Sequence, residues 1–138
     1  MAPLEAHSLI NARGSTVWEI ITDAGNFAVW ASGITDVTGD LRNGGTIRVR
    51  TRHAGGTSVR LRVEQVPGGV MTWTWGIPPR LGAFKRTFVL TPQDAMTLLV
   101  VRDEISGPLR TFIRSPFGAE EDLAGFVAAV KQRAEILG

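Results

Sequence analysis

The chain contains no cysteine and no tyrosine. The first absence excludes disulfides, thiolate metal sites and a cysteine nucleophile. Histidine is nearly missing too: His7 and His53 are too few for a histidine-rich metal site and form no His-x-x-x-His pair. An excess of one charge is also lacking, since 15 Lys and Arg against 13 Asp and Glu leave a formal net charge of +2. The sequence pI of about 9.9 reflects the empty titration range between histidine and lysine rather than a basic surface. A protein held on nucleic acid by phosphate contacts carries a concentrated positive excess, so nucleic acid is not an expected partner. Apolar runs such as Leu98 to Val101 are far too short to span a bilayer. The N-terminal stretch shows neither a basic segment nor an apolar one, so no signal peptide is expected and a cytoplasmic protein is the default. No Gly-x-Ser-x-Gly elbow, P-loop or dinucleotide fingerprint occurs, and no cofactor or metal is expected.

What is present is enough apolar residue for a core, 43% of 138 residues, in a length that fits one domain over 1–138. Gly-Gly pairs at 44–45, 55–56 and 68–69 punctuate the middle of the chain at the spacing of short strands and tight turns. Between them the residues alternate. Ile47, Val49 and Thr51 oppose Arg48, Arg50 and Arg52, and Val59, Leu61 and Val63 oppose Arg60, Arg62 and Glu64. Met71, Trp73 and Trp75 then interleave with Thr72 and Thr74, and two further strands over about 84–91 and 96–104 flank a turn at Pro92-Gln93-Asp94. The pattern is that of an antiparallel meander with one apolar face.

Register follows from turn length, because a slip of one residue exchanges the faces. A three-residue turn at Pro67-Gly68-Gly69 pairs Val63 with Trp73 and Leu61 with Trp75, uniting the apolar faces. Helical spacing covers Ser15 to Phe27, with Val17, Ile20, Ile21 and Ala24 on one side and Ser15 as the expected N-cap. A longer helix is expected over 119–137, with Leu123, Phe126, Val127, Val130, Ala134 and Leu137 on one stripe. Glu120, Glu121 and Asp122 open it, which favours the helix dipole.

Three groups of residues stand out. The arginine stripe would set Arg50 opposite Arg60 across a turn at Ala54-Gly55-Gly56, and like charges so placed repel. A turn at Asn43-Gly44-Gly45 pairs Asp40 with Arg48 and Asp36 with Arg52. The stripe then reads as a solvated outer face partly neutralised by its neighbour, with an acidic partner or a lipid headgroup as the functional alternative. Trp30, Trp73, Trp75, Phe84 and Phe88 make an aromatic interior that either fills the core or lines a cavity. Arg86 alternates with Phe84 and Phe88 and so falls on the apolar face, where an unpaired charge is costly. An even-length turn around Gln93-Asp94 puts Asp103 on that face and Arg86 beside Val101, whereas an odd one turns Arg102 and Glu104 inward. Arg86 and Asp103 are then either a structural ion pair or groups that orient a ligand.

The order of strand, two short helices, six strands and long C-terminal helix resembles the helix-grip fold of the START-related superfamily, the SRPBCC group that includes polyketide cyclase/dehydrase-like proteins. The resemblance is carried by Val17-Trp18-Glu19-Ile20-Ile21-Thr22-Asp23 with Phe27 and Trp30, and by Phe88-Val89-Leu90-Thr91-Pro92 with Met96-Thr97. Glu104-Ile105-Ser106-Gly107-Pro108-Leu109, similar to the entry to the last helix, and Val130-Lys131-Gln132-Arg133-Ala134-Glu135 complete it. Two departures stand beside it. Met96 replaces the usual glycine, which argues against a glycine-dependent bulge, and the cavity tyrosines of some cyclases are absent.

The resemblance implies an α+β fold: a curved antiparallel sheet of about seven strands around a long C-terminal helix, with two short helices after the first strand. It implies a cavity more strongly than a reaction. The expected activity is binding, between sheet and helix, of an apolar or aromatic small molecule, lipids included. The expected walls are Trp30, Trp73, Trp75, Phe84, Phe88, Leu99, Phe126 and Val130, with Arg86 and Asp103 as polar anchors. A cyclase or dehydratase is the first alternative, with Arg86 polarising a carbonyl and Asp103 or His7 moving a proton. A protein-interaction module similar to activators of the Hsp90 chaperone is the second, using the arginine stripe. A homodimer is left open.

Overall fold

The computed structural model describes residues 3–23, 26–27, 30, 33–39, 41–51 and 58–137. Its elements are β1 (Leu4–Ile10), α1 (Gly14–Thr22), β2 (Ile34–Gly39), β3 (Thr46–Thr51), β4 (Ser58–Val66), β5 (Val70–Ile77), β6 (Gly82–Gln93), β7 (Met96–Ser106), a 3-10 turn (Arg110–Phe112) and α2 (Glu120–Leu137). The seven strands form one antiparallel sheet in the order β1-β7-β6-β5-β4-β3-β2. The sheet curls around α2, giving the expected α+β helix-grip architecture. The second short helix expected after β1 falls on a stretch that lies largely outside the described residues. No helix among the described residues is long and apolar enough to cross a membrane.

Alternation decides which side chains are enclosed. Ile47, Val49, Leu61, Val63, Met71, Trp73, Phe84, Phe88, Leu99 and Val101 are buried on the concave face, and α2 covers them with Leu123, Phe126, Val127, Val130 and Ala134. Leu137, expected on the same stripe, is 59% exposed and borders an open recess beside Thr16 and Ile20 of α1. Val63 pairs with Trp73 as expected, and Gly68 takes the positive φ of 79° that the three-residue turn demands.

Three registers differ from expectation. In β2–β3, Asp36 faces Arg50 and Thr38 faces Arg48, because the strands are joined by the longer connection 40–45 rather than by three residues. Asp40 and Arg52, the other members of the expected pairs, lie outside the described residues, as does His53. In β3–β4, Arg48 rather than Arg50 opposes Arg60. That register is set at the opposite end, where Gly44 N donates to Val63 O and Val63 N to Gly45 O, both at 2.8 Å. In β6–β7 the strands run through Pro92 and Gln93, and the turn is the two-residue Asp94-Ala95, with Asp94 at φ 57°. The ladder is continuous past Met96, without a bulge. Arg86 therefore faces Asp103 directly, not Val101.

α1 begins one residue before the expected cap. Arg13 is its N-cap without a side-chain bond, so Ser15 lies inside the first turn. Thr97 Oγ1 donates to the Ala12 carbonyl at 2.8 Å, which fixes the chain leaving β1 and sets this start. α1 also stops at Thr22 rather than continuing to Phe27.

Two features tie the ends of the molecule. Lys131 Nζ donates to Leu9 O at 3.1 Å and to Glu135, and Glu135 also accepts the Asn11 backbone N–H at 2.9 Å. The hydrogen bond from Lys131, then that from Asn11, holds the Glu135 carboxyl below its ordinary pKa. At the other end, Gly107 has φ 95°, and a Cβ there would stand 2.7 Å from Gly82 Cα and 2.8 Å from Leu81 O. No side chain can be accommodated without moving backbone.

Two measurements test these ties. Gly107→Ala lowers stability by more than about 2 kcal/mol in a urea titration, since left-handed strain and a backbone clash add. A depressed carboxyl stabilises the fold above its unfolded pKa and ceases to do so as pH falls through the folded one. The unfolding midpoint of the wild type therefore exceeds that of Glu135→Gln at neutral pH, and the difference closes in acid.

Candidate functional site

Three neighbouring strands carry the centre of the concave face. Trp73 on β5, Arg86 on β6 and Asp103 on β7 are direct cross-strand partners in one row. Each is inward because its strand alternates, so a salt bridge is carried into the core by the same pattern that buries Phe84 and Phe88. Arg86 is 1% exposed and Asp103 4%. The guanidinium grips the carboxylate side-on through one edge, Nε to Oδ1 at 2.7 Å and Nη2 to Oδ2 at 2.9 Å. Its face is stacked as well: Cζ lies 4.0 Å from the Phe117 ring centroid and 5.2 Å from that of Phe126. Bidentate geometry and two aromatic faces offset the large cost of desolvating both charges.

Beside this pair a cavity of about 460 Å³ opens at one end of the sheet. Leu4, Phe84, Ile105 and Ile113 give it apolar walls, and Asp103 and Ser115 contribute polar ones. Arg114, Gly118, Ala119 and Glu120 complete the lining where the chain enters α2. Arg86 is not among the lining residues. The cavity thus meets the carboxylate, with the arginine behind it. Since each carboxylate oxygen already accepts one N–H, what remains for a ligand is acceptor capacity.

Most of the other expected wall residues pack against one another. Trp73 lies 4.8 Å from Phe88, 6.0 Å from Phe27 and 5.8 Å from Phe117, centroid to centroid. Phe126 joins Phe88 at 6.1 Å and Trp30 at 5.6 Å. Leu99 and Val130 are fully buried. The Trp73 indole N–H is buried and finds no hydrogen-bond partner among the described residues. Trp30 is half-buried and faces a different recess, of about 300 Å³, shared with Glu19, Asp23 and Arg133. Trp75 lines a third one, with Arg60 and Arg62. Of the ten expected site residues, Phe84 and Asp103 line the 460 Å³ cavity and Arg86 stands directly behind it. His7 is exposed on the outer side of β1, where it faces Val100 across the ladder.

Sequence reasoning missed the segment between β7 and α2. Ile113, Ser115 and above all Phe117 build the cavity and cover the ion pair, yet this stretch has no period to read. Thr51 Oγ1 donates to Pro116 O, and Ser115 Oγ accepts the Phe117 N–H at 3.1 Å, which pins the loop over Arg86. The available signal was compositional: Ile113 and Phe117 are apolar residues in a loop otherwise made of Arg114, Ser115, Pro116 and Gly118.

Comparison with known proteins agrees with the architecture. A family model described as "Polyketide cyclase / dehydrase and lipid transport" matches residues 1–135. Protein MLL2253 from Mesorhizobium loti superposes with a TM-score of 0.76 at 18% identity, covering 99% of each chain. The Zhui aromatase/cyclase from Streptomyces sp. R1128 gives 0.76 at 18% identity, over 97% of this chain and 93% of that one. The Aha1 dimer from Colwellia psychrerythraea gives 0.70 at 17% identity, over 99% and 98%. The comparison with curated proteins gives no match. At such identities these structures share the fold.

The buried pair makes a measurable claim. Arg86→Met or Asp103→Leu alone leaves one charge stranded and costs about 3–5 kcal/mol in chemical denaturation. The double variant recovers most of that loss, because no uncompensated charge remains.

Proposed function

Because the chain belongs to the polyketide cyclase / dehydrase and lipid transport family, we propose that it binds an apolar small molecule bearing a hydroxyl or phenol group in the cavity beside Asp103. Family membership supports a ligand-binding or cyclase role. The choice between them rests on one observation: the cavity is lined by Asp103 while its arginine is held behind, bonded to that carboxylate through Nε and Nη2 and stacked on Phe117. Arg86 is 1% exposed and absent from the lining, so it does not face the cavity, where a carbonyl would have to be polarised. His7, the other candidate for proton transfer, lies on the outer face. What the cavity offers is apolar contact from Leu4, Phe84, Ile105 and Ile113, and a carboxylate that accepts hydrogen bonds. Its volume of about 460 Å³ is within the range of small-molecule sites. Burial of the ligand's apolar surface supplies most of the affinity, and Asp103 supplies orientation.

The reading separates ligands by the sign of their polar group. In equilibrium titrations 2-naphthol binds at least about tenfold more tightly than naphthalene, as one charge-assisted hydrogen bond provides. 2-Naphthoate binds more weakly than either, because its charge repels the carboxylate. Ile105→Trp fills the cavity and abolishes all three. Naphthoate binding tightest would reverse the assignment of the polar anchor, and binding untouched by Ile105→Trp would place the site elsewhere.

A further inference from the structure

The outer face of the sheet holds a second recess, unrelated to the cavity beside Asp103. Its volume is about 510 Å³, and Gly44, Thr46, Arg60, Arg62, Thr74, Trp75 and Gly76 line it. Thr46, Arg62 and Thr74 form a row of direct cross-strand partners over β3, β4 and β5, and Lys85 extends that row on β6. Arg48 faces Arg60 in the adjacent row, and Arg50 follows on β3. Gly76 shares the outward face of β5 with Thr74 and has no side chain, so a hollow is left beside the guanidiniums instead of a covered sheet.

The charges here are poorly compensated. The closest carboxylate to these arginines among the described residues is Glu64, 3.7 Å from Arg62, with both side chains about two-thirds exposed. Such a pair is weak and screened. Asp36 faces Arg50 in the ladder but forms no ion pair with it among the described residues, so the neutralisation expected from β2 is not made there. Directly opposed arginines destabilise a sheet unless an anion lies between them. In a chain of net charge +2, this concentration on two adjacent strands is local rather than a general surplus.

We propose that this recess binds a di- or triphosphate group, free or esterified. Arg60 and Arg62 present guanidinium forks that match phosphate oxygens, and the hydroxyls of Thr46 and Thr74 flank the same position. A small molecule fits better than a membrane. The large exposed apolar side chains, Leu9, Val66, Leu81, Phe112, Ile136 and Leu137, are absent from the lining, so nothing beside these arginines would enter a bilayer.

The experiment is calorimetric titration of the intact chain at low salt with ATP, pyrophosphate and adenosine, alongside co-sedimentation with phosphatidylglycerol vesicles. ATP and pyrophosphate are expected to bind with similar affinity, and adenosine far more weakly. The Arg60→Ala/Arg62→Ala double variant weakens ATP at least about tenfold, as the loss of charge-assisted bonds requires. Gly76→Val fills the hollow and excludes ATP while every arginine remains, which separates a shaped site from diffuse charge. The proposal is overturned if ATP gives no saturable heat, or if the double variant and Gly76→Val bind it like the wild type. Vesicle binding that depends on Arg60 and Arg62 without ATP binding would assign the surface to a membrane instead.

Discussion

A salt bridge in the middle of an apolar interior constrains everything around it. Arg86 and Asp103 sit opposite each other on the two longest strands, and neither reaches water to any useful extent. Their presence is tolerable because each charge meets the other in bidentate geometry, two guanidinium N–H groups on two carboxylate oxygens, with Phe117 and Phe126 against the planar faces. The requirement reaches far along the chain. The β6–β7 register must be correct to the residue, α2 must bring Phe126 over the pair, and the loop before α2 must deliver Phe117. A shift in any one of them strands a charge. Specificity of register is thus enforced by electrostatics as well as by the apolar pattern.

The same pair defines how the cavity is polarised. Had the arginine faced the opening, the site would favour carboxylates and carbonyls. With the carboxylate in front, the field at the opening is that of a hydrogen-bond acceptor beside aliphatic and aromatic walls. The shared fold of an aromatase/cyclase, an Aha1 protein and this chain shows that the scaffold does not dictate the chemistry. The arrangement of a few inward polar groups does.

Alternation made the faces of β3 to β7 legible, since each outward arginine and each inward Trp or Phe follows a period of two. Arg86 was identifiable for the same reason, as the one charge in phase with Phe84 and Phe88. Its partner was narrower to read, because parity selects Asp103 for the face while turn length selects it for the register. The Asp94-Ala95 turn, one residue later than the expected Gln93-Asp94, is what moved the opposing residue from Val101 to Asp103. Arg48 against Arg60 was displaced likewise, because the ladder is anchored at Gly44-Gly45 rather than at the Gly55-Gly56 end. The crowding of Trp73, Phe88 and Phe126 into a filled interior was hidden, since periodicity assigns a face without showing what meets it. Phe117 was hidden more deeply, as it lies in a loop where no period exists and acts on residues far from it in the chain.

The position of the ion pair within a hairpin has a kinetic side. Arg86 and Asp103 are 17 residues apart, all of them in one continuous antiparallel ladder closed by a two-residue turn. Closing so short a loop carries a small entropic cost, and zippering from the turn outward is among the faster steps open to a β chain. The charges can therefore meet while still hydrated, and their desolvation is deferred until the distant C-terminal helix and its preceding loop arrive. A pairing that would be slow to search for between remote segments is instead inherited from local order, so the costliest group in the interior is placed by the most local part of the topology.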